Sequence, residues 1–219
     1  MMTVSSNFLV SLSICAFVSM IIGCHDKHAR TADCKANLKK ASDSLNSYYY
    51  SGKLSSLEAS LHYLQQPTEC PETRPRAIEM KISIFVLLKE YESGYKFVDS
   101  VNDNDFSRPY KREMAMDYFR SLEYESKADS IDRNKTLKEI THNIQDYIKR
   151  SANSDTSMDK EAYYDLYLIK AKLYPVNELN KELDSLKIRY PAQSDFIEAL
   201  KGTLNPQSIS KPSAAIPAS

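Results

Sequence analysis

Four histidines and four cysteines hold most of the metal-binding and nucleophilic chemistry open to this chain. His25 and His28 stand three apart beside Asp26, and with Cys34 they form a donor set of the kind that holds zinc. Pairing with Cys70 is the simpler use of Cys34, and no metal is expected. No His-Glu-x-x-His occurs, and no Gly-x-Ser-x-Gly turn lifts a serine into a nucleophile. Carboxylates are scattered, without a recognisable couple for acid–base work. The four glycines, Gly23, Gly52, Gly94 and Gly202, stand too far apart to build a phosphate cradle. No catalytic residue and no cofactor is therefore nominated. Tyr48-Tyr49-Tyr50 is the more informative triplet. Neighbours on a helix diverge by about 100°, so the three cannot share one face. Tyr48 fits an apolar stripe, so one or both of Tyr49 and Tyr50 should be exposed, as candidates for anchoring a partner, with packing against the next hairpin as the alternative.

An apolar run from Phe8 to Ile22 precedes all of this and ends Met20-Ile21-Ile22-Gly23-Cys24. A cysteine directly after an apolar stretch and a small residue resembles the lipobox of bacterial lipoproteins. The resemblance implies that residues 1–23 are a signal peptide, that Cys24 carries fatty acyl chains such as palmitate, and that residues 24–33 form a lipidated tether. Two or more chains give stable membrane attachment. No Lys or Arg precedes the run, a departure from the usual signal-peptide pattern. An ordinary secretory signal and an uncleaved anchor are the alternatives. The run is short against the roughly 20 residues of a membrane span. Some Gram-negative lipoproteins carry an acidic run after the cysteine as a surface-export tag; only Asp26 is acidic here, so the resemblance implies a periplasm-facing position in a Gram-negative-type envelope. Cys15 leaves with the leader and Cys24 takes the lipid, so Cys34 and Cys70 remain as a disulfide in an oxidising compartment.

Lys plus Arg and Asp plus Glu both number 29, giving a formal net charge of zero. That balance removes nucleic acid as a partner, because no basic excess exists to track phosphates. The portion after Cys24 is long enough for one domain with a real core, or two small ones. The scarcity of glycine argues against a sheet-rich fold with many tight turns.

The positions that would carry any of these side chains read as helices. Leu38, Ala41, Leu45 and Tyr48 recur at three and four residues, and Leu54, Leu57, Leu61 and Leu64 repeat the pattern after Gly52. A third helix starts near Pro75 and contains Ile84 to Leu88, apolar all round. Tyr91 to Val101, Met114 to Leu122 and Leu137 to Tyr147 supply three more, and Ser151 to Ser157 reads as a linker. Tyr164 to Ala171 and Val176 to Tyr190 follow. A ninth helix spans Ser194 to Lys201, with Gly202 as its cap. One helical domain is expected over 34–201, with a disordered tail over 202–219.

Consecutive helices joined by short turns pair into hairpins beginning near residues 34, 74, 109 and 159. At Leu87-Leu88-Lys89-Glu90-Tyr91-Glu92-Ser93-Gly94 the chain resembles the tetratricopeptide-repeat family: an apolar helix end precedes an aromatic, and three residues on a small residue permits close packing. Tyr48 to Leu57 is a poorer match, with Leu57 where the family prefers Ala. The fold class expected is all-α, stacked antiparallel helical hairpins of this type, with an irregular α-helical bundle as the alternative. The repeat resemblance places Tyr49, Arg76, Glu79 and Ser83 on a groove. The function expected is a membrane-anchored, non-catalytic protein–protein interaction or assembly module, bound to the membrane through Cys24 and to an unknown envelope protein. An inhibitor or immunity lipoprotein that blocks a toxin or lytic enzyme is the alternative.

Overall fold

The computed structural model describes residues 31–152 and 158–205. Among them the chain is all-α, without strands. The domain expected over 34–201 spans two compact units. The described part of the first comprises residues 31–90 with Asn104–Ser107, and that of the second comprises Tyr91–Asp103 with residues 108–205. No helix among the described residues is long and apolar enough to cross a membrane.

In the first unit, α1 covers residues 31–51, α2 is Leu54–Tyr63 and α3 is Arg74–Leu88. The apolar stripe of α1 faces inward as its spacing requires. Ala41 is fully buried, and Leu38, Leu45 and Tyr48 pack around Leu57 and Leu64 of the α2 segment and Ala77 and Ile84 of α3. Gly52 ends α1 with φ +67°, its N–H donating to Tyr48 O at 2.7 Å, a left-handed turn that costs glycine nothing. The hairpin register is fixed by polar contacts: Asn37 to Gln66 at 2.6 Å, Ser60 Oγ to Ala41 O at 2.8 Å and Ser56 Oγ to Ser47 Oγ at 3.5 Å. Each step forward along α1 is met by a step back along α2, so the two are antiparallel. Leu54 departs from the expected stripe and is 58% exposed, because α2 begins at that residue, beyond the reach of the core. Pro67 opens a 3-10 turn, Pro67–Glu69, and Pro75 sits in the first turn of α3, where its missing N–H costs no hydrogen bond. The run Ile84 to Leu88 is less central than its composition suggests: Ile84 and Phe85 are buried, and Val86, Leu87 and Leu88 only half-buried.

The second unit holds α4 (Tyr91–Asp99), α5 (Lys111–Ser126), α6 (Ser130–Ala152), α7 (Lys160–Lys170), α8 (Val176–Arg189) and α9 (Ser194–Leu204). Its core is built from Leu137, Ile140 and Ile144 of α6, Leu166 and Tyr167 of α7, Leu179 and Leu183 of α8, and Ile197 and Leu200 of α9. Two pairs of successive helices are antiparallel by their contacts. Arg112 Nε donates to Val101 O at 2.9 Å while Arg120 donates to the Tyr95 hydroxyl at 2.8 Å, which makes α4 and α5 antiparallel. Lys187–Glu198 at 2.8 Å and Lys201–Asp184 at 2.5 Å do the same for α8 and α9.

Further expectations are corrected. The helices α3 and α4, read as one hairpin, fall in different units. Residues 151 and 152 belong to α6 and not to the linker read over 151–157, and 153–157 lie outside the described residues. Gly202 does not cap α9: the helix continues to Leu204, and Asn205 is the cap. Leu204 is buried with Ile197 and Leu200 at three- and four-residue spacing, and that apolar contact carries the helix past the glycine. The tail read over 202–219 therefore loses its first residues to α9, and 206–219 lie outside the described residues. Two helix ends place ordinary residues in the left-handed region, Lys89 at φ 59° and Ala128 at φ 58°. Both make the paired backbone bonds of a Schellman turn, Glu90 N–H to Phe85 O and Asp129 N–H to Tyr124 O, in a chain that offers no glycine there.

Candidate functional site

The cysteines lie where hairpin geometry demands. From Cys34 to Tyr50, α1 rises about 24 Å at 1.5 Å per residue. The return through α2 and the 3-10 turn brings Cys70 back to the starting end, with Cα–Cα 6.5 Å and the two sulfurs at bonding distance. Thr73 Oγ1 donates to Pro67 O at 2.8 Å and Arg74 Nε to Thr68 O at 2.8 Å, so the start of α3 is tied to that same end. Cys34 and Cys70 are both buried.

The opposite end of the hairpin carries the tyrosines. Tyr48 is half-buried against the core, its ring edge-on to Tyr49 with centroids 5.9 Å apart. Tyr49 is 63% exposed and Tyr50 92%. With Leu54 they put three large apolar side chains into solvent around the Gly52 turn. Leu54 was missed as a surface residue because its spacing alone fits the stripe of α2.

Arg76 lies elsewhere. It joins Lys35, Leu38, Lys39 and Ser42 in lining a groove of about 260 Å³ between α1 and α3. That groove is at the cysteine end, since Arg76 is in the first turn of α3. Tyr49 is seven residues past Ser42 on the same face of α1, about 10 Å further along the axis. Glu79 accepts from Ser107 Oγ at 3.2 Å, and Ser83 Oγ donates to Glu79 O at 3.0 Å. The structure thus divides the candidate binding residues between a groove holding Arg76 and a tip holding Tyr49 and Tyr50. Cys24, His25 and His28 lie outside the described residues. Among the described residues no cluster of His, Cys, Asp and Glu is placed to hold a metal ion.

The second unit contains a polar network that reading the sequence did not find. Asp159 caps α7 by accepting from the Ala162 N–H at 3.2 Å. Arg108 Nε donates to Asp159 at 2.8 Å, and the Tyr147 hydroxyl does so at 3.1 Å. Arg108 also lies 3.3 Å from Glu161, Lys111 lies 2.6 Å from Glu161 and 3.7 Å from Asp165, and the Tyr110 hydroxyl donates to Asp165 at 2.8 Å. Burial works to raise the Asp159 pKa, but the hydrogen bonds from Arg108, the Ala162 N–H and Tyr147 outweigh it and hold the carboxyl below its ordinary value. Burial, followed by the charge of Asp165, pushes the Tyr110 hydroxyl far up. Every carboxylate here meets a cation or a hydroxyl, so the network ties α7 to α5 and α6. It leaves no poised base. Its trace in the sequence is Arg108 and Lys111 at three-residue spacing and Glu161 and Asp165 at four, a pattern that becomes meaningful only when the helices meet.

Comparison with protein-family models, with curated proteins and with solved structures finds no match for this chain.

Proposed function

We propose that this chain is a lipid-anchored, non-catalytic protein-interaction module of a bacterial envelope. The observation that carries the reading is the apolar tip formed by Tyr49, Tyr50 and Leu54. Isolated apolar residues on a surface are ordinary, but three large ones exposed between positions 49 and 54 concentrate apolar area at one helix turn, as contact sites do. Tyrosine brings area and a polar end at low entropic cost, which makes it a frequent interface anchor. The tip lies at the far end of α1 from the tether, and anchorage by lipid would raise the effective concentration of a membrane-bound partner.

Two experiments test the parts separately. In-cell crosslinking is expected to capture an envelope protein through the tip. Tyr49→Ala and Tyr50→Ala should each cost about 1–3 kcal/mol of affinity while leaving helicity and melting unchanged. Retained crosslinking with lost stability would make the tyrosines part of the fold instead. For the anchor, labelled fatty acid should enter the protein at Cys24, and Cys24→Ala should abolish labelling and leave an unprocessed precursor. A mature protein that starts elsewhere, or takes up no label, removes the anchor.

A further inference from the structure

We infer that the groove between α1 and α3 binds the phosphate of an anionic phospholipid headgroup. Lys35, Lys39 and Ser42 share one face of α1 at four- and three-residue spacing, and Arg76 enters from the first turn of α3. Three cations and a hydroxyl thus surround a space of about 260 Å³. Lys39 is paired with Asp43 at 3.3 Å, with both side chains well exposed, so that pair is easily exchanged. Among the described residues neither Lys35 nor Arg76 has a carboxylate within ion-pair distance. The groove therefore keeps a positive excess in a chain whose overall charge is zero. A phosphate diester suits it: the guanidinium fork takes two oxygens, and the ammonium groups act as point charges beside them. Leu38 completes the lining with an apolar wall. An inorganic phosphate would leave that wall unused, whereas the glycerol and first methylenes of a phospholipid would cover it.

Placement agrees with this ligand. The groove is at the end of α1 nearest Cys24, and the seven peptide steps from residue 24 to residue 31 reach at most about 25 Å. That part of the argument rests on the proposed lipid at Cys24; the groove's chemistry does not. The pairing of Cys34 with Cys70 and the Arg74–Thr68 bond hold both walls together at this end.

The test uses the full chain in nonionic detergent micelles doped with phosphatidylglycerol, with phosphatidylcholine and inorganic phosphate as separate arms. Bound lipid is counted by native mass spectrometry, and affinity is read from the titration. Saturable binding of one phosphatidylglycerol is expected, without binding of phosphatidylcholine. Lys35→Glu and Arg76→Glu should each weaken it by about tenfold or more, with helicity unchanged, since both residues are exposed. Lys138→Glu, on the exposed face of α6, should leave it as it was. An equal loss from Lys138→Glu would mean diffuse charge attraction and overturn the site. So would indifference to Arg76→Glu, or binding of inorganic phosphate without the lipid. Cys24→Ser should not alter the isotherm, so a failed anchor and a failed groove give different results.

Discussion

Reduction of the Cys34–Cys70 pair, or its replacement by Cys34→Ser, is expected to destabilise the first unit by about 4 kcal/mol. The two cysteines are 36 residues apart in sequence. Cross-linking such a loop removes closure entropy from the unfolded chain, and the loss grows only slowly with loop length. The bond would also do local work. It sits at the open end of the α1–α2 hairpin, where Asn37 also bonds the Gln66 side chain at 2.6 Å. Without it the helix ends are held by that hydrogen bond and by the Leu57–Leu64 core. The measurement is thermal or urea unfolding of oxidised protein against reduced, with Cys34→Ser as the genetic control. Mass spectrometry of non-reduced peptides checks the premise. Alkylatable thiols at both positions in protein purified without reductant would show two inert buried cysteines instead.

Gly94→Ala should destabilise the second unit by about 1–3 kcal/mol, against the ordinary sign of this substitution. In an exposed helix interior, alanine is favoured over glycine by about 0.5–1 kcal/mol. Here an added Cβ would stand 2.3–2.9 Å from three ring atoms of Phe119. Phe119 is 1% exposed, so its ring has no room to withdraw. Gly94→Val should cost more, because its second and third methyl-sized groups enter the same contact. The companion Phe119→Leu in the Gly94→Ala background should recover part of the loss, as close neighbours couple in a double-mutant cycle. Unfolding free energies of the four proteins settle it. A Gly94→Ala protein as stable as the parent would mean that α4 and α5 can move apart. Gly202→Ala is the internal control. Nothing lies within 4 Å of its would-be Cβ, so the substitution should be neutral or slightly stabilising.

The close approach of Gly94 to Phe119 bears on what kind of hairpin this is. The tetratricopeptide-like segment ending in Gly94 suggested a small residue where helices approach closely, and the approach is there, against α5. The other matched segment, Tyr48 to Leu57, differs. Gly52 meets nothing and serves as a helix end, while Leu57, bulky where the family prefers Ala, is fully buried. Pair-by-pair repetition also does not describe the units, since α3 and α4 separate.

The sequence alone determined the all-α class and most helix positions, because three- and four-residue apolar spacing is a local property of the chain. It also determined which tyrosine of Tyr48-Tyr49-Tyr50 turns inward, through the 100° step between neighbours. The meeting of Cys34 and Cys70 followed from helix rise and a single reversal, which is still nearly local arithmetic. Tertiary structure decided the rest. Leu54 fits an apolar stripe yet faces solvent, because burial depends on where the neighbouring helix ends. Gly202 fits a cap yet lies inside α9, because the contact of Leu204 with the core outweighs glycine's weak preference to stop a helix. Arg76 lines a groove with the first turns of α1 while Tyr49 lies about 10 Å further along that helix, a depth that is invisible until the register of the neighbouring helix is known. The tie among Arg108, Lys111, Tyr147, Asp159, Glu161 and Asp165 joins residues up to 57 positions apart, from Arg108 to Asp165, through three helices. No local periodicity encodes such a meeting, since each pair is a product of packing, and packing is what the linear pattern leaves open.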